Sequence, residues 1–430
     1  MISNIRASVQ RVLWSALLAP LALTAQQPAA PRPAAPALVF SKDRLARLDA
    51  VLDNYVTERR IGGVVALVLH DGNVAYEHAV GWSDREAARK MTANGIFRIA
   101  SQTKAITSVA ALILMEEGKL TLEDPVSNWI PSFAKTTVAV RTDTGRAIVP
   151  AKRAITIKDL LTHTSGVSYG TDAIVAPLYE AKGLGPAAGF GWYTADKNEP
   201  ICESMERLGT LPFVSQPGAA WVYGYNTDIL GCVVERASGK PLDEFIRERI
   251  TGPLGMTDTH FYLPPAKRDR LAVVYGSDNA GHAVRAPEGP RGQGDYVDGP
   301  RRSFAGGAGL LSTAHDYARF LEMIRRRGEL DGKRILAPHT VGLMTTNQVG
   351  TLAGDGMGWG LGFQITERYG ASGSASVGTF GWGGAYGSNY KVDPAEGLVI
   401  VLMVNQLPNT SGIATKFSNL LYQALVGGVR

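Results

Sequence analysis

Hydrophobic positions along this chain follow two spacings, one typical of helices and one typical of strands. Residues 43–57 place leucine, valine and tyrosine at helical spacing, which predicts an amphipathic helix. Two short β patterns follow at residues 63–70 and 73–80, and Asp71-Gly72 separates them. An Asp-Gly pair between two such runs is a strong hairpin signal, so a helix and a hairpin are predicted to open the fold.

Strand patterns return near the C-terminus, and the stretch between the two ends is rich in glycine, proline and loops. Strands from distant ends of a chain can complete one antiparallel sheet. The pattern therefore predicts an α/β fold of the α+β type, with flanking helices and a mostly helical lobe, about residues 120–300, facing the sheet across a cleft. The later predicted elements are strands at 388–392 and 398–404 and helices at 156–162, 228–238, 312–327 and 412–425.

The first 40 residues differ in composition from the rest of the chain. Two arginines precede an apolar stretch at residues 12–25 that is too short for a comfortable membrane span. We interpret residues 1–25 as a secretory signal peptide, residues 26–40 as a Pro/Ala-rich linker and residues 41–430 as the folded domain. This favours export, to a bacterial periplasm or out of the cell, over the alternative of a disordered cytosolic N-terminus.

Composition narrows the classes of partner. With 45% hydrophobic residues among 430, the chain can bury a large core in one domain or two joined ones. Its net charge is +5 without a basic run interleaved with aromatic residues, so nucleic acid is not an expected partner. No later segment is apolar enough for membrane insertion, and the seven histidines show no paired spacing for a metal.

Cys202 and Cys232 have no motif spacing and are interpreted as buried free thiols, although an oxidising compartment would let them pair.

Ser101 and Lys104 stand three residues apart at the start of a strongly apolar stretch. On a helix this spacing puts both side chains on one face, about one turn apart. A serine hydroxyl is a poor nucleophile until a base accepts its proton, and a desolvated lysine can serve as that base. The apolar residues 105–114 predict a helix whose first turn carries Ser101, near free backbone N–H groups. The pattern indicates either a nucleophile with its base or a serine that caps a buried helix.

Two later segments offer partners for that pair. Tyr223 lies in a loop just before the helix predicted at residues 228–238, and a phenol beside a lysine can share the proton of the serine. Residues 380–387 are dense in glycine and lead into a strand, so a ligand can approach bare backbone there. A backbone N–H in that segment and the N–H of Ser101 can form an oxyanion hole. Each segment alone is ambiguous, because such tyrosines usually pack and such glycines usually form turns.

In this order, the Ser-x-x-Lys motif, the tyrosine loop and the glycine-rich strand resemble the serine β-lactamase and penicillin-binding-protein superfamily. Residues 122–127, 156–166 and 306–312 match further motifs, so the resemblance covers roughly residues 45–425. Within the superfamily the chain is similar to class C β-lactamases and, more closely, to the family VIII carboxylesterases. The resemblance implies a β-lactamase-like fold, an acyl-enzyme mechanism and no metal or organic cofactor.

Two departures from the β-lactamases favour the esterase. Tyr225 stands where they have the asparagine of Tyr-x-Asn, and Trp382-Gly383-Gly384 stands where they have Lys-Thr-Gly. The tryptophan removes the cation that would attract a β-lactam carboxylate, and an aromatic wall suits an uncharged ester. Efficient β-lactam hydrolysis is therefore not expected, although slow opening of some β-lactams is compatible with these residues.

The resemblance implies a role for each matched residue. Ser101 is the nucleophile, Lys104 and Tyr223 form the coupled base, and the N–H groups of Ser101 and Ala385 form the oxyanion hole. We expect a serine carboxylesterase acting on short-chain carboxylic esters. A class C-like β-lactamase or D-amino-acid peptidase is the alternative, and a non-catalytic cell-wall sensor is the rival from another class. The expected substrate contacts are Trp382, Gly383, Gly384 and Tyr225.

Residues 166–170 also fit Gly-x-Ser-x-Gly, the nucleophile elbow of α/β-hydrolases. That elbow needs a strand before it and a helix after it. Here a predicted helix precedes the motif and no clear amphipathic helix follows, so Ser168 is not expected to be the nucleophile. His163, in the preceding segment, is interpreted as structural.

Overall fold

The computed structural model describes residues 39–185 and 195–427. The predicted signal peptide and all but the last two residues of the predicted linker lie outside the described residues. Those two residues form a short strand, Val39–Phe40, which pairs with Leu425–Gly427 near the other end of the chain. In the described ranges, none of the helices has the length and apolar character needed to cross a membrane.

The central sheet has eight antiparallel strands, and both ends of the chain build it. In chain order the strands are β1 Gly63–His70, β2 Asn73–Asp84, β3 Arg89–Lys90, β4 Met357–Trp359, β5 Gln364–Thr366, β6 Phe380–Gly383, β7 Asn389–Asp393 and β8 Leu398–Val404. Their spatial order is β4-β5-β6-β7-β8-β1-β2-β3. Strand β8 pairs with β1 along its whole length, from Leu398 opposite His70 to Val404 opposite Val64. The predicted α/β fold with one sheet from distant ends is thus confirmed.

Helices cover both faces of this sheet. The described helices are α1 Lys42–Thr57, α2 Thr103–Glu116, α3 Ile157–Thr162, α4 Ala176–Glu180, α5 Ile201–Gly209, α6 Asn226–Ser238, α7 Leu242–Ile246, α8 Ala314–Arg325, α9 Pro338–Met344 and α10 Ile413–Ala424. Helices α1 and α10 pack on one face, while α8 contacts the central strands and contributes to the hydrophobic core on the other face. Helix α6 is the centre of a helical group in which it contacts α2, α3 and α5.

Strand β8 is apolar throughout, and β1 is apolar up to its last residue, His70, because both faces of the two strands are buried. Val64 and Ile400 belong to the core beneath α1 and α10. Val65 and Val401 point the other way, into the larger core that includes α2, α6 and α8. This larger core lies between the sheet and the helical group. The turn Ala100–Gln102, just before α2, contacts β6.

Short strands elsewhere tie loops to this frame. Phe97–Arg98 pairs with Leu311–Ser312 and fixes the chain just before Ser101. The remaining short strands are Thr137–Thr142, Gly145–Pro150 and Pro212–Phe213 in one sheet, Tyr275–Ser277 with Ala283–Arg285, and Glu329–Leu330 with Lys333–Arg334.

The two cysteines correct the interpretation as free thiols. Cys202 on α5 and Cys232 on α6 form a disulfide, with their Cα atoms 5.1 Å apart. Helix α5 was not among the predicted elements, so the sequence offered no way to see that the two residues face each other. The pairing follows from the packing of α5 against α6.

Candidate active site

Ser101 lies in a 3₁₀ turn, Ala100–Gln102, that runs directly into α2. The sequence pattern placed it in the first turn of the α-helix, and the structure sets it just before that helix. Ala100 has a left-handed backbone with φ of +42°, which is uncommon for a residue with a Cβ. Its side chain is buried against Val274 and Tyr386.

Lys104 is buried at the start of α2, and its ammonium group has three acceptors. The Nζ atom lies 3.2 Å from Ser101 Oγ, 2.9 Å from Tyr169 Oη and 2.7 Å from the Gly307 carbonyl oxygen. A lysine ammonium has three N–H donors, so these contacts use all of them. The predicted Ser101–Lys104 pair is therefore in hydrogen-bond contact.

Asp228 holds the carbonyl that Lys104 contacts. Its Oδ1 accepts a 3.0 Å hydrogen bond from the N–H of Gly307, the same residue whose carbonyl accepts from Lys104. A Cβ at position 307 would come within 2.3 Å of Asp228 Oδ2, so only glycine fits this close approach. Burial raises the pKa of the Asp228 carboxyl, and the positive charge of Lys104 opposes that rise. Asp228 thus positions one of the acceptors of Lys104.

Tyr223 faces both Lys104 and the glycine-rich strand β6. The indole Nε1–H of Trp382 donates a 2.9 Å hydrogen bond to Tyr223 Oη. Lys104 Nζ lies 4.8 Å from the centre of the Tyr223 ring, which is a cation–π contact. Trp221 stacks on Tyr223 at 5.7 Å, and Trp359 meets Trp382 edge-on at 4.8 Å. Aromatic rings therefore form one wall beside Ser101, as the Trp382 motif suggested.

Tyr169 is a residue that the sequence analysis missed. Its hydroxyl group accepts a hydrogen bond from Lys104, and its ring lies edge-on to Tyr223 at 5.7 Å. Burial, together with the neighbouring Tyr223 and Asp228, raises the pKa of Tyr169 well above its usual value, so its phenol stays neutral. The only sequence signal was its place in the Gly-x-Ser-x-Gly segment, which had been considered for its serine.

Two other candidates lie away from the reacting groups. Tyr225 does not line the cavity at Ser101, although it was an expected substrate contact. It is buried beside Tyr169, and its hydroxyl group accepts from the N–H of Gly185 at 3.0 Å. Ser168 is also buried, and its Oγ accepts from the N–H of Gly170 at 3.0 Å. Ser168 thus closes a tight turn within the Gly-x-Ser-x-Gly segment.

His163 is fully buried and ties the tyrosine loop to α3. Its Nδ1 lies 3.0 Å from Asn226 Nδ2, so the histidine accepts and Asn226 donates. The Oδ1 of Asn226 accepts from the Ser165 hydroxyl group. Burial and the charge of Lys104 hold the pKa of His163 well below its ordinary value, which keeps the ring neutral. This network fixes the segments that carry Tyr169 and Tyr223.

The glycine-rich segment closes the site at the end of β6. A Cβ at Gly384 would lie 2.5 Å from the Ile99 carbonyl oxygen, so this strand comes very close to the turn that carries Ser101. A cavity of about 440 Å³ opens there. The expected residues that line it are Ser101, Tyr223, Trp382, Gly383, Gly384 and Ala385. Among the described residues, no group of three or more histidine, cysteine, aspartate or glutamate side chains could hold a metal ion.

The sequence and the fold of this protein are similar to those of known proteins. The family model described as Beta-lactamase matches residues 48–424. Esterase EstB from Burkholderia gladioli is 36% identical, over 84% of this chain and 90% of that protein. Lovastatin esterase from Penicillium rubens is 30% identical, over 77% of this chain and 85% of that protein. The structure of EstCE1, a hydrolase with promiscuous acyltransferase activity, superposes with a TM-score of 0.74 at 28% identity, over 89% of this chain and 99% of that chain. The protein therefore belongs to the beta-lactamase family.

Proposed function

We propose that this protein is a serine carboxylesterase of the family VIII type, which hydrolyses short-chain carboxylic esters. The observation that carries the proposal is the 3.2 Å contact between Ser101 Oγ and Lys104 Nζ at a cavity with an aromatic wall. Two of the relatives described above are named as esterases, which supports the same class of reaction.

In the reactive form of the proposed reaction, Lys104 and Tyr223 together carry one proton fewer than an ammonium and a phenol. Ser101 Oγ attacks the ester carbonyl carbon while its proton passes to this coupled pair. The oxyanion of the tetrahedral intermediate binds to the N–H groups of Ser101 and Ala385. The same pair returns the proton to the leaving alcohol, which leaves an acyl group on Ser101. A water molecule, activated by the pair, then releases the acid and restores the serine.

The residue at the third motif supports an ester over a β-lactam. Trp382 places its indole against the Tyr223 hydroxyl, where the β-lactamases of the resemblance have a lysine. The indole N–H orients the phenol and carries no positive charge. A β-lactam carboxylate would therefore lack its cationic partner beside the reacting bond.

The test is hydrolysis of p-nitrophenyl butyrate and of nitrocefin by one purified sample, with Ser101→Ala as the blank. We expect fast butyrate turnover, slow or absent nitrocefin opening, and loss of both in the variant. Nitrocefin as the better substrate would instead indicate a β-lactamase with an unusual pocket. Wild-type turnover in Ser101→Ala would remove Ser101 as the nucleophile.

We further propose that the protein is exported after removal of an N-terminal signal peptide. The Cys202–Cys232 disulfide supports this, because structural disulfides persist in oxidising compartments. N-terminal sequencing of protein from a periplasmic fraction tests the proposal. A start between residues 26 and 40 is expected, whereas an intact N-terminus in the cytosolic fraction would contradict it.

A further inference from the structure

A second cavity opens beside α7 and shares no lining residue with the cavity at Ser101. Its volume is about 610 Å³, which lies within the range of small-molecule binding sites and exceeds the volume of the first cavity. One part of its lining is apolar, and the other part is polar and charged. The proposed reaction uses none of the residues that line it.

The apolar part is rich in aromatic side chains. The Phe304 ring meets the rings of Phe261 at 5.6 Å and Tyr262 at 6.0 Å, edge-on in both cases. An alkyl or aryl group seated against these rings would be removed from water, which favours binding. The apolar lining residues are Ile246, Met256, Phe261, Tyr262, Phe304 and Leu310, and all of them except the half-buried Phe304 are buried.

The charged part carries a net positive charge. Arg247 and Arg301 line it, and Asp243 is the one acid among the described lining residues. His260 also lines the cavity and is neutral, because burial lowers its pKa to about 4. Two guanidinium groups against one carboxylate leave one positive charge, so a ligand with a single negative charge balances the cavity.

Arg247 has no ion-pair partner among the described residues. Its neighbours Glu244 and Glu248 both pair with Lys240 instead. Asp243 lies one turn earlier on α7, where burial raises the pKa of its carboxyl and the charge of Arg247 opposes that rise. The Arg247 side chain is exposed, so its guanidinium is available to a ligand at the rim of the cavity.

Arg301 is held by carbonyl groups rather than by an acid. Its Nη2 donates to the Val297 carbonyl oxygen at 2.9 Å and to the Leu263 carbonyl oxygen at 3.3 Å. Its Cζ lies 5.9 Å from the centre of the Tyr262 ring. A guanidinium has five N–H donors, so Nε and Nη1 are left for a ligand. Arg301 thus places a positive charge directly beside the aromatic part of the cavity.

We propose that this cavity is a second binding site, specific for monocarboxylates that carry an apolar tail. The carboxylate binds to Arg247 and Arg301, since guanidinium groups match its geometry, and the tail packs against the rings around Phe304. A small inorganic anion would leave the aromatic part unfilled, and a neutral lipid would leave both arginines unpaired. The inference is independent of the esterase proposal, because the site shares no lining residue with the cavity at Ser101.

Isothermal titration calorimetry with three probes tests the proposal. Octanoate carries the charge and the tail, octanamide lacks the charge, and acetate lacks the tail. The variants are Arg247→Gln, Arg301→Gln, the double glutamine variant and the double lysine variant, which keeps both charges. Arg47→Gln on α1 is the matched control, because this exposed arginine lines neither cavity. Trp382→Ala alters the cavity at Ser101 and therefore reports any binding there.

We expect the wild-type protein to bind octanoate, and to bind octanamide and acetate about 10-fold or more weakly. Because both arginines are exposed, each glutamine variant should lower the affinity for octanoate about 3-fold, and the double variant about 10-fold. The double lysine variant should retain most of the affinity. Arg47→Gln and Trp382→Ala should leave it unchanged, and circular dichroism checks that every variant is folded.

Three results would overturn the inference. One is the absence of octanoate binding to the wild-type protein, and another is equal affinity for octanoate and octanamide. The third is octanoate binding that Trp382→Ala weakens and the double glutamine variant does not, because the acid would then occupy the cavity at Ser101.

Discussion

Two tyrosine side chains flank the Lys104 ammonium, and each meets it in a different way. The hydroxyl group of Tyr169 lies 2.9 Å from Nζ, whereas Tyr223 presents the face of its ring at 4.8 Å. Tyr223 turns its hydroxyl group toward Trp382 at the wall of the cavity. Tyr169 therefore fixes where the lysine points, while Tyr223 stands between the lysine and the leaving group.

Tyr169→Phe tests this division of roles. The change removes one of three acceptors from a buried ammonium and frees Lys104 to move away from Ser101. Because hydrogen bonds to charged groups contribute about 1.5–3 kcal/mol, we expect kcat/KM for p-nitrophenyl butyrate to fall about 10-fold or more. The pH profile should shift as well, since the surroundings of the base change. Tyr225→Phe is the matched control, because it removes a neighbouring buried hydroxyl group that does not contact Lys104. Equal losses in both variants would make Tyr169 a packing residue only.

The sequence predicted those helices, strands and turns that are determined by residues close together in the chain. The hairpin at Asp71-Gly72 forms with both residues at positive φ, and Thr313 caps α8 by accepting from the Asp316 N–H. Helix α6 and strand β8 follow the hydrophobic spacing closely. Such elements are predictable because their determinants lie within a few residues of one another.

Contacts between distant segments could not be predicted from the sequence. The Tyr169–Lys104 bond joins residues 65 apart, and the Cys202–Cys232 disulfide joins residues 30 apart. Periodicity records which face of an element is buried, but it does not record which element covers that face. Local spacing singled out Ser101, Lys104 and Tyr223, and the motif resemblance implied their roles, whereas Tyr169 had neither signal.

The 3₁₀ turn that carries Ser101 depends on the left-handed backbone of Ala100. A β-branched residue strongly disfavours that conformation, so Ala100→Val should lower the free energy of unfolding by about 1–3 kcal/mol. It should also lower kcat, because relaxing the strain rotates Ser101 away from Lys104. Glycine accepts the conformation without strain, so Ala100→Gly should keep activity near wild type. Urea unfolding and steady-state kinetics measure both effects.

Added volume is a second way in which Ala100→Val can destabilise the protein. Ala111→Val separates the two causes, because Ala111 is buried inside α2 with ordinary helical geometry. Overpacking there should reduce stability and leave the kcat of the folded protein intact. A similar kcat for the two valine variants would show that the backbone at Ala100 does not orient Ser101.

At the scale of the whole molecule, histidines that are buried or half-buried make stability depend on pH. His260 bridges to Leu311 through two backbone hydrogen bonds, next to the strand that pairs with Phe97–Arg98. Burial, followed by the charge of nearby Lys267, lowers the pKa of His260 from 6.5 to about 4. Lys267 Nζ lies 3.3 Å from His260 Nε2, a contact that suits a neutral ring. His163 is shifted in the same direction.

The sign of the effect follows from proton uptake. Between pH 6.5 and 4 the unfolded chain protonates His260 and the folded protein does not. The stability linked to this histidine is thus fully present above pH 6.5 and is lost as the pH falls toward 4. Carboxyl groups with raised pKa values, such as Asp228 and Asp316, act in the opposite direction. The pH dependence of the total free energy of unfolding therefore does not report the contribution of His260 alone.

His260→Gln isolates it by difference. The glutamine keeps a polar side chain that does not titrate, so the loss of unfolding free energy from pH 7.5 to 5 should be smaller than in the wild type. The full shift over that range corresponds to about 2 kcal/mol, and partial exposure of the ring reduces the expected difference to about 1 kcal/mol. Urea unfolding at the two pH values measures it, with His339→Gln as an exposed control. If His260→Gln loses as much stability as the wild type, His260 is already protonated in the folded protein at pH 5. The Lys267 contact would then have to break, and the bridge to Leu311 would carry a buried charge close to the segment that presents Ser101.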